Sequence, residues 1–287
     1  MAQNLEAVRP AYRPVRPGPL ETLLGTVRDI SSRRRLIAYL VRADLKKRGA
    51  DTLLGNLWWV LDPLLTMLVY VILVSIILRS TLPSYPLFIF CAILPWKWFT
   101  SSIMDAVTCI TTRERVIKQV HFPKIVLPVA ATVGGVANFA FGLIPLGVMM
   151  VLLYRDNITP WLLLIPVVAV VQYVLTLGMA IAASALTVFY RDIGNVAGHL
   201  LRIWFYLSPA LYGTDQIERL AADHPQLFFI YNLNPFAALF ESYRNLIYYG
   251  TAPTWGMLGL VLVEALILLV ISVLLFRRLE PAFAKVL

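Results

Sequence analysis

The chain has 287 residues, of which 59% are hydrophobic and 14% are charged, and its mean hydropathy is +0.75. A soluble core of this length needs much less apolar surface, so lipid is the expected solvent for most of the chain. The net charge of +9 does not indicate a nucleic-acid partner, because the basic residues do not follow an aromatic-lined groove. Their distribution between the two sides of a membrane explains the charge better.

Residues 1–56 contain no long apolar run and divide into two parts. Residues 1–32 begin with a stretch rich in proline and arginine that cannot bury enough apolar surface to fold, and they are predicted to form a flexible cytoplasmic tail. Residues 33–56 place apolar side chains at helical spacing and basic side chains on the other faces. This pattern is typical of an amphipathic helix that lies in the headgroup plane.

Residues 57–287 are predicted to form one all-α membrane domain of six spanning helices, because six apolar runs approach or exceed the roughly 20 residues that a bilayer requires. The runs are Leu57–Leu78, Tyr85–Ile110, Ile125–Tyr154, Trp161–Tyr190, Val196–Tyr212 and Trp255–Phe276. The fifth run is the shortest. Between the last two, Leu227–Tyr231 and Phe236–Phe240 are too short to cross, so two short re-entrant helices are predicted there.

Lysine and arginine fall mainly on one side of this predicted bundle. Of the 25 basic residues, only Arg79, Arg155, Arg219 and Arg244 fall on the opposite side, and Lys97 falls within a span. Because basic residues accumulate on the cytoplasmic side of membrane proteins, both termini are predicted to be cytoplasmic.

Charged residues inside the predicted spans are few, and a charge at that depth is a functional hypothesis by default. They are Asp62, Lys97, Asp105 and Glu264. Lys97 and Glu264 lie at similar depth when residues are counted from the ends of their spans. A buried ion pair between these two residues is therefore predicted.

Four motifs occur in order along the chain. They are Leu45–Arg48 with Thr52–Leu65, then Val116–Pro128, then Tyr190–Ile193 with Trp204–Tyr212, and finally Asn234–Pro235 with Glu241–Arg244 and Glu280–Leu287. Together they resemble the permease subunits of bacterial ABC polysaccharide exporters, which form the O-antigen, capsule and teichoic-acid export branch of the ABC-2 type transporters. The likeness covers roughly residues 36–287. It implies a multi-pass subunit of the bacterial inner membrane that forms a homodimer and exports a lipid-linked polysaccharide.

The chain has no sequence signal for binding nucleotide or metal. It contains no GxxxxGK[ST] phosphate-binding loop, and none of its 15 glycines is followed by lysine. Cys91 and Cys109 fall within one predicted span, so they indicate neither a disulfide nor a metal site. The chain is expected to bind no cofactor itself and not to be an enzyme. The resemblance implies that ATP and Mg are bound by a separate nucleotide-binding subunit, present in two copies.

Two predicted cytoplasmic segments are candidates for contact with that ATPase subunit. Thr111–Phe122 is charged and amphipathic, and the resemblance implies that it is a coupling segment, with the turn between the fourth and fifth runs as a second contact. The candidate residues are Glu114, Arg115, Ile117, Lys118, His121, Phe122, Arg191 and Asp192. The alternatives are an ordinary charged loop at the first segment and, at the second, an anchoring arginine beside an aspartate that caps the next helix.

Aromatic and basic residues supply two further candidate sites. Aromatic rings stack on the C–H faces of sugars, so an aromatic-lined passage would let a polymer slide. The channel candidates are Trp98, Phe99, Tyr206, Tyr212, Phe236 and Tyr243, whereas Trp58, Trp59, Tyr248 and Tyr249 fit an interfacial belt better. The candidates for contact with a diphosphate-linked lipid headgroup are Arg33, Arg34, Arg35 and Arg42, with general attraction to anionic lipid as the alternative.

Three other functions are open. An ABC exporter of drugs or hydrophobic small molecules would share the architecture and would need no aromatic lining. A membrane glycosyltransferase should carry acidic pairs such as DxD, and the sequence has none. A proton-coupled carrier is disfavoured because acidic residues within the spans are sparse.

Overall fold

The computed structural model describes residues 18–49, 52–73, 83–120, 122–213, 231 and 233–286. These residues form helices and short connections without a strand, which confirms the all-α prediction for this part of the chain. The helices are α1 (Pro19–Ser32), α2 (Arg34–Gly49), α3 (Trp58–Val71), α4 (Tyr85–Cys109), α5 (Glu114–Gln119), α6 (Val126–Leu153), α7 (Ile165–Phe189), α8 (Ile193–Leu207), α9 (Pro235–Arg244) and α10 (Trp255–Val286). A 3₁₀ segment, Pro160–Leu164, leads into α7, and a π-helical segment, Asn245–Tyr249, follows α9.

Within the described residues, four helices are long and apolar enough to cross a membrane. They are Tyr85–Cys109, Val126–Leu153, Pro160–Phe189 and Trp255–Phe283. The second, third, fourth and sixth predicted spans are therefore confirmed by length and composition. The most apolar part of α4 is 78% buried, against 28% to 33% for the other three. The bundle is thus built around α4, and the other three helices leave most of their surface for lipid or for other chains.

The fifth predicted span, Val196–Tyr212, is wrong at its C-terminal end. Helix α8 has 15 residues and ends at Leu207, so it is roughly 22 Å long and shorter than a hydrocarbon core of about 30 Å. The cause is Pro209, because the residue before a proline is driven into extended backbone, and Ser208 has φ −89° and ψ 152°. The first predicted span is described only as the 14-residue α3, and residues 74–82 lie outside the described part.

The predicted flexible tail over residues 1–32 is helical from Pro19 onward. Proline suits the first turn of a helix because its missing N–H would have had no partner there, and the Glu21 carboxylate accepts a hydrogen bond from the Gly18 N–H at 3.3 Å. Helix α1 packs on the C-terminal end of α10, where Arg277 binds Thr26 and Asp29. The described part of the predicted tail therefore belongs to the folded domain.

Helix α2 covers most of the predicted in-plane helix, residues 33–56. Its Ile37 packs with Val126, Val129 and Ala130 at the start of α6. The side chains of Arg34, Arg35, Arg42, Lys46 and Lys47 are exposed, so the amphipathic pattern corresponds to real burial. Its position relative to a membrane surface stays a prediction.

The two ends of the bundle differ in charge. At one end, here called the basic end, lie residues 110–120 and 122–125, the turn at 190–193, helices α1 and α2 and the C-terminal part of α10. At the other, here called the far end, lie residues 154–164 and 245–254, where the Asn157 amide donates to the Tyr248 carbonyl at 2.6 Å. This arrangement follows from the directions of the long helices, because α4, α7 and α10 run from the far end to the basic end and α6 runs the opposite way.

Helix α9 starts inside the bundle and runs to the far end. Its first turn lies at mid-bundle depth, because the Trp204 indole donates to Asn234 Oδ1 at 3.0 Å and Phe236 packs against Trp96. Just beyond its end, the Tyr248 hydroxyl donates to the Pro83 carbonyl at 2.6 Å. The predicted short helix Phe236–Phe240 is therefore present. The other predicted short helix, Leu227–Tyr231, lies outside the described residues except for Tyr231.

Candidate functional site

The segment Thr111–Phe122, here called the basic elbow, joins α4 to α6 at the basic end. It consists of the 3₁₀ turn Thr111–Arg113, helix α5 and an extended residue, Val120. Arg113 Nη2 donates to both carboxylate oxygens of Asp44 at 2.7 Å, which ties the elbow to α2. The hydrogen bond and charge of Lys118 lower the pKa of Glu114 below its usual value.

The elbow presents a mixed apolar and charged surface. Val116 and Val120 are 48% and 52% exposed, and Arg115 and Lys118 also face outward. Such a combination of apolar contacts with a charged rim is typical of a protein-binding surface. The prediction that Ile117 contacts the ATPase is wrong, because its side chain is only 5% exposed and packs in the chain's own core.

Ile117 packs with Cys109, Ile110 and Ile125, and Phe122 is half-buried against the same cluster. Helical periodicity explains why Ile117 is buried while Val116 is exposed, because adjacent residues of a helix point in different directions and α5 turns one face toward the bundle. His121, also a predicted contact residue, lies outside the described residues.

The turn at Arg191 and Asp192 lies beside the elbow. A cavity of about 410 Å³ separates the two, and its walls are Val107, Thr108, Thr111, Glu114, Thr187, Arg191, Gly194 and Asn195. Glu114 and Arg191, which are far apart in sequence, are thus brought to one site. Asp192 occupies the N-cap position of α8, but its side chain makes no capping hydrogen bond. The alternative role of Asp192 as a side-chain cap is therefore not supported, and this residue is exposed.

A second set of contacts ties the end of the elbow to α10 and α1. The Lys124 N–H donates to Glu280 Oε1 at 2.7 Å, and Arg277 Nη1 donates to Glu280 Oε2 at 3.1 Å. Arg277 Nη2 also donates to Asp29 at 2.5 Å. Sequence reasoning did not identify this network, because no local pattern relates residues that are about 150 and 250 positions apart.

A groove opens on the side of the bundle between α3, α4 and α8. Its volume is about 300 Å³, and it is lined by Thr66, Tyr70, Ile93, Trp96, Lys97, Thr100, Met104, Gly198, Leu201, Arg202, Phe205 and Tyr206. We call it the lateral groove. It combines two cationic side chains with the rings of Tyr70, Trp96, Phe205 and Tyr206.

The predicted ion pair between Lys97 and Glu264 is wrong. Lys97 Nζ donates to the Asp62 carboxylate of α3, and within the described residues Glu264 makes no ion pair. Counting residues from the span ends gave the depth of each charge but not the face of the helix on which it lies. Asp105, the fourth predicted intramembrane charge, lines a different cavity with Asp44 and Arg113.

Four of the six predicted channel residues are enclosed within the chain's own core. Trp98, Phe99, Phe236 and Tyr243 are at most 2% exposed. They pack against other aromatic residues, and the Tyr243 hydroxyl donates to Gln172 Oε1 at 3.0 Å. They therefore do not line a passage in this structure, because a ring enclosed by its own chain cannot contact another molecule.

The other two predicted channel residues are accessible. Tyr206 is 53% exposed and lines the lateral groove. Tyr212 is half-buried, and its hydroxyl donates to the Leu207 carbonyl at 3.3 Å. Tyr206 thus lies at the lateral groove, and Trp98, although almost fully buried, lines a separate cavity of about 290 Å³ beside Lys97.

The predicted headgroup-binding arginines lie on the exposed faces at the start of α2 and along it. They are Arg33, Arg34, Arg35 and Arg42. Their side chains form no ion pair with the described residues, so their charge is available to other molecules. Among the residues that the structure describes, no cluster of histidine, cysteine and acidic side chains could hold a metal ion.

These features define the class of the protein: a multi-pass helical membrane protein with a charged, structured elbow at one end and a cationic groove on its side. The family model for ABC-2 type transporters matches residues 35–248, and the chain belongs to this family. It is accordingly a transport subunit of the inner membrane.

Curated relatives are similar over almost their whole length. The chain is 32% identical to "O-antigen export system permease protein RfbA" of Myxococcus xanthus, over 92% of this chain and 99% of the relative. It is 30% and 28% identical to two proteins of the same name from Klebsiella pneumoniae, each over 88% of this chain and 95% of the relative.

Proposed function

We propose that this chain is the permease subunit of an ATP-driven exporter that moves lipid-linked O-antigen polysaccharide across the cytoplasmic membrane. The observation that carries the proposal is the similarity to O-antigen export permeases over 88% to 92% of the chain. Because the matched family region, residues 35–248, includes the elbow, the lateral groove and α9, we assign the relatives' printed function to these elements. The basic end is assigned to the cytoplasm, where basic residues of membrane proteins accumulate.

The energy comes from a separate ATPase subunit, two copies of which bind two copies of this chain. The elbow is the docking surface, since its exposed Val116 and Val120 can enter a groove on the ATPase while Arg115 and Lys118 form polar contacts at the rim. Arg191 and Asp192 form a second contact across the neighbouring cavity. ATP and Mg are held by the partner.

Motion of the elbow is passed to the spanning helices through two connections. The Arg113–Asp44 pair moves α2, which packs along the start of α6. The contact between Lys124 and Glu280 moves the end of α10. Rigid elements joined by hydrogen-bonded charges transmit a displacement better than a loop does, so closure of the two ATPase subunits would spread the two permease chains.

The polysaccharide passes between two copies of this chain. The described residues of one copy enclose an aromatic core, and a twofold interface would bring two lateral grooves to face each other. Tyr206 and the other rings of the groove would then offer stacking faces to sugars. Helix α9 would gate the exit at the far end.

The proposal is tested by reconstitution. The chain is purified with its ATPase partner, placed in proteoliposomes and given either a lipid-linked glycan or a set of lipophilic drugs. We expect ATP-dependent translocation of the glycolipid and stimulation of ATP hydrolysis by the glycolipid alone. Stimulation by drugs alone would contradict the proposal in favour of a small-molecule exporter, and sugar transfer by the chain without the partner would contradict it in favour of an enzyme.

A further inference from the structure

The lateral groove places two cations at mid-depth in the bundle. Lys97 lies twelve residues before the end of α4, roughly 18 Å from the basic end, and Arg202 lies nine residues after the start of α8, roughly 14 Å from it. Both residues line the same cavity of about 300 Å³. Cations at this depth in a membrane protein are costly and mark a pathway for a substrate or ion.

The charge of the groove is not balanced by the described residues. Lys97 is paired with Asp62, whereas Arg202 is exposed and makes no ion pair with a residue that the structure describes. The twelve side chains that line the groove include no carboxylate. One positive charge therefore remains for an anionic group.

Lys97 stands between two cavities. It lines the lateral groove and also a cavity of about 290 Å³ whose walls include Trp58, Asp62 and Asn138. The Asp62 side chain is 63% exposed and the Lys97 side chain 28%, so the pair can separate without opening the core. An anion in the groove can thus replace Asp62 as the partner of Lys97.

The groove walls fit the group that would come with the anion. The rings of the exposed Tyr206 and the half-buried Tyr70 are accessible in the groove, Trp96 and Phe205 are buried in its wall, and Thr66 offers a hydroxyl. Rings stack on the apolar faces of sugars, and a guanidinium binds phosphate oxygens in a two-pronged geometry. A sugar next to a phosphate is the junction at which a glycan is joined to its lipid carrier.

We propose that Arg202 and Lys97 form a binding site for the phosphate groups that link the glycan to its lipid, and that the rings of the lateral groove hold the first sugar. This inference rests on the proposed function. The site would lower the cost of bringing the phosphates to the middle of the membrane, where an unpaired anion is strongly disfavoured. Asp62 keeps Lys97 neutralised until the substrate arrives.

The test measures ATP hydrolysis by the whole permease–ATPase complex in lipid nanodiscs. Two synthetic probes carry the same glycan, one on a diphosphate lipid and the other on an uncharged lipid. The variants are Arg202→Gln and Arg202→Lys, and the matched control is Arg155→Gln, an exposed arginine at the far end. Asp62→Asn removes the carboxylate that pairs with Lys97, so it tests whether a free Lys97 binds the diphosphate probe more tightly.

We expect Arg202→Gln to raise the half-saturating concentration of the diphosphate probe by about tenfold, the loss of one charged contact. The uncharged probe should be unaffected, Arg202→Lys should retain most of the affinity, and Asp62→Asn should bind the diphosphate probe more tightly. Arg155→Gln should match the wild type with both probes.

Four results would overturn the site. The first is an Arg202→Gln variant whose half-saturating concentrations equal those of the wild type with both probes, and the second is an equal loss of affinity for both probes. The third is competition by inorganic diphosphate at concentrations below those of the glycolipid. The fourth is loss of the permease dimer in Arg202→Gln. The third would assign the groove to a free anion and the fourth would assign Arg202 to a contact between copies. A wild-type complex that neither probe stimulates would instead contradict the proposed function itself.

Discussion

Arg113 on the elbow and Asp44 on α2 form an ion pair that joins the proposed docking surface to the rest of the basic end. One guanidinium nitrogen donates to both carboxylate oxygens at 2.7 Å, and the side chains are 24% and 38% exposed. A partly exposed pair of this kind stabilises the fold by about 1 kcal/mol or less. We expect the ion pair to matter more for transport than for stability, because it makes α2 move with the elbow.

Asp44→Asn is therefore expected to uncouple the exporter more than it unfolds it. The complex should keep most of its ATP hydrolysis while glycolipid transport falls several-fold, because α2 no longer follows the elbow. The measurement is the ratio of glycolipid translocated to ATP hydrolysed in proteoliposomes. Exchanging the charges, with Asp44→Arg and Arg113→Asp together, should restore part of that ratio. Arg28→Gln, on an exposed position of α1, serves as the control, and an unchanged ratio in Asp44→Asn would refute the connection.

Gln172 holds the core together at the level of α9. Its amide donates to the Pro95 carbonyl at 2.7 Å and its oxygen accepts from the Tyr243 hydroxyl at 3.0 Å. Gln172→Leu should lower the free energy of unfolding by about 1 to 3 kcal/mol, because the buried Tyr243 hydroxyl loses its partner. The denaturation midpoint in detergent measures this. The double variant with Tyr243→Phe should lose less than the two single losses combined, and simple additivity would exclude the proposed contact.

Gly178 sets the distance between α7 and α10. A Cβ atom at this position would lie 3.1 Å from the backbone nitrogen of Leu269, which cannot move without displacing the whole helix. Gly178→Val is expected to cost about 1 to 3 kcal/mol of stability by overpacking. Gly134→Ala on α6 is the matched control, because nothing lies within 4 Å of its Cβ, and it should be neutral or slightly stabilising. Equal midpoints for the two variants would contradict the close helix packing.

The orientation can be tested by cysteine labelling, because the native Cys91 and Cys109 are both buried and should not react. Val116→Cys at the elbow and Asp156→Cys at the far end both introduce an exposed thiol. A membrane-impermeant maleimide added to intact spheroplasts should label Asp156→Cys and spare Val116→Cys until the membrane is opened. The reverse pattern would place the elbow on the outside and rule out its docking to a cytoplasmic ATPase.

The sequence alone predicted the features that depend on length and composition. Four apolar runs form long helices, because in lipid a helix lets every backbone N–H and C=O group find a hydrogen-bond partner within the run. The sequence also predicts a cytoplasmic segment with Glu114, Arg115 and Lys118, and a second cytoplasmic contact at Arg191. The structure brings Glu114 and Arg191 to the walls of one cavity.

Features that depend on which face a residue presents were not predictable. Depth along the spans predicts that Lys97 pairs with Glu264, yet the structure pairs Lys97 with Asp62. Trp98 and Tyr243 have the residue type of channel walls but are enclosed by their own chain. The end of α8 could have been foreseen, because Ser208-Pro209 is a local signal that disfavours continuing the helix.

The central claim is that a separate ATPase drives this permease through the elbow, and a crosslink tests it most directly. Val120 is 52% exposed, so a cysteine introduced there by Val120→Cys should be accessible. A short bifunctional reagent added to inverted membrane vesicles should join this cysteine to the ATPase subunit. The account predicts a covalent permease–ATPase product that forms with Val120→Cys, is absent with Asp156→Cys, and changes in yield when ATP is added. An ATPase that crosslinks only to Asp156→Cys, or not at all in an actively transporting membrane, would contradict it.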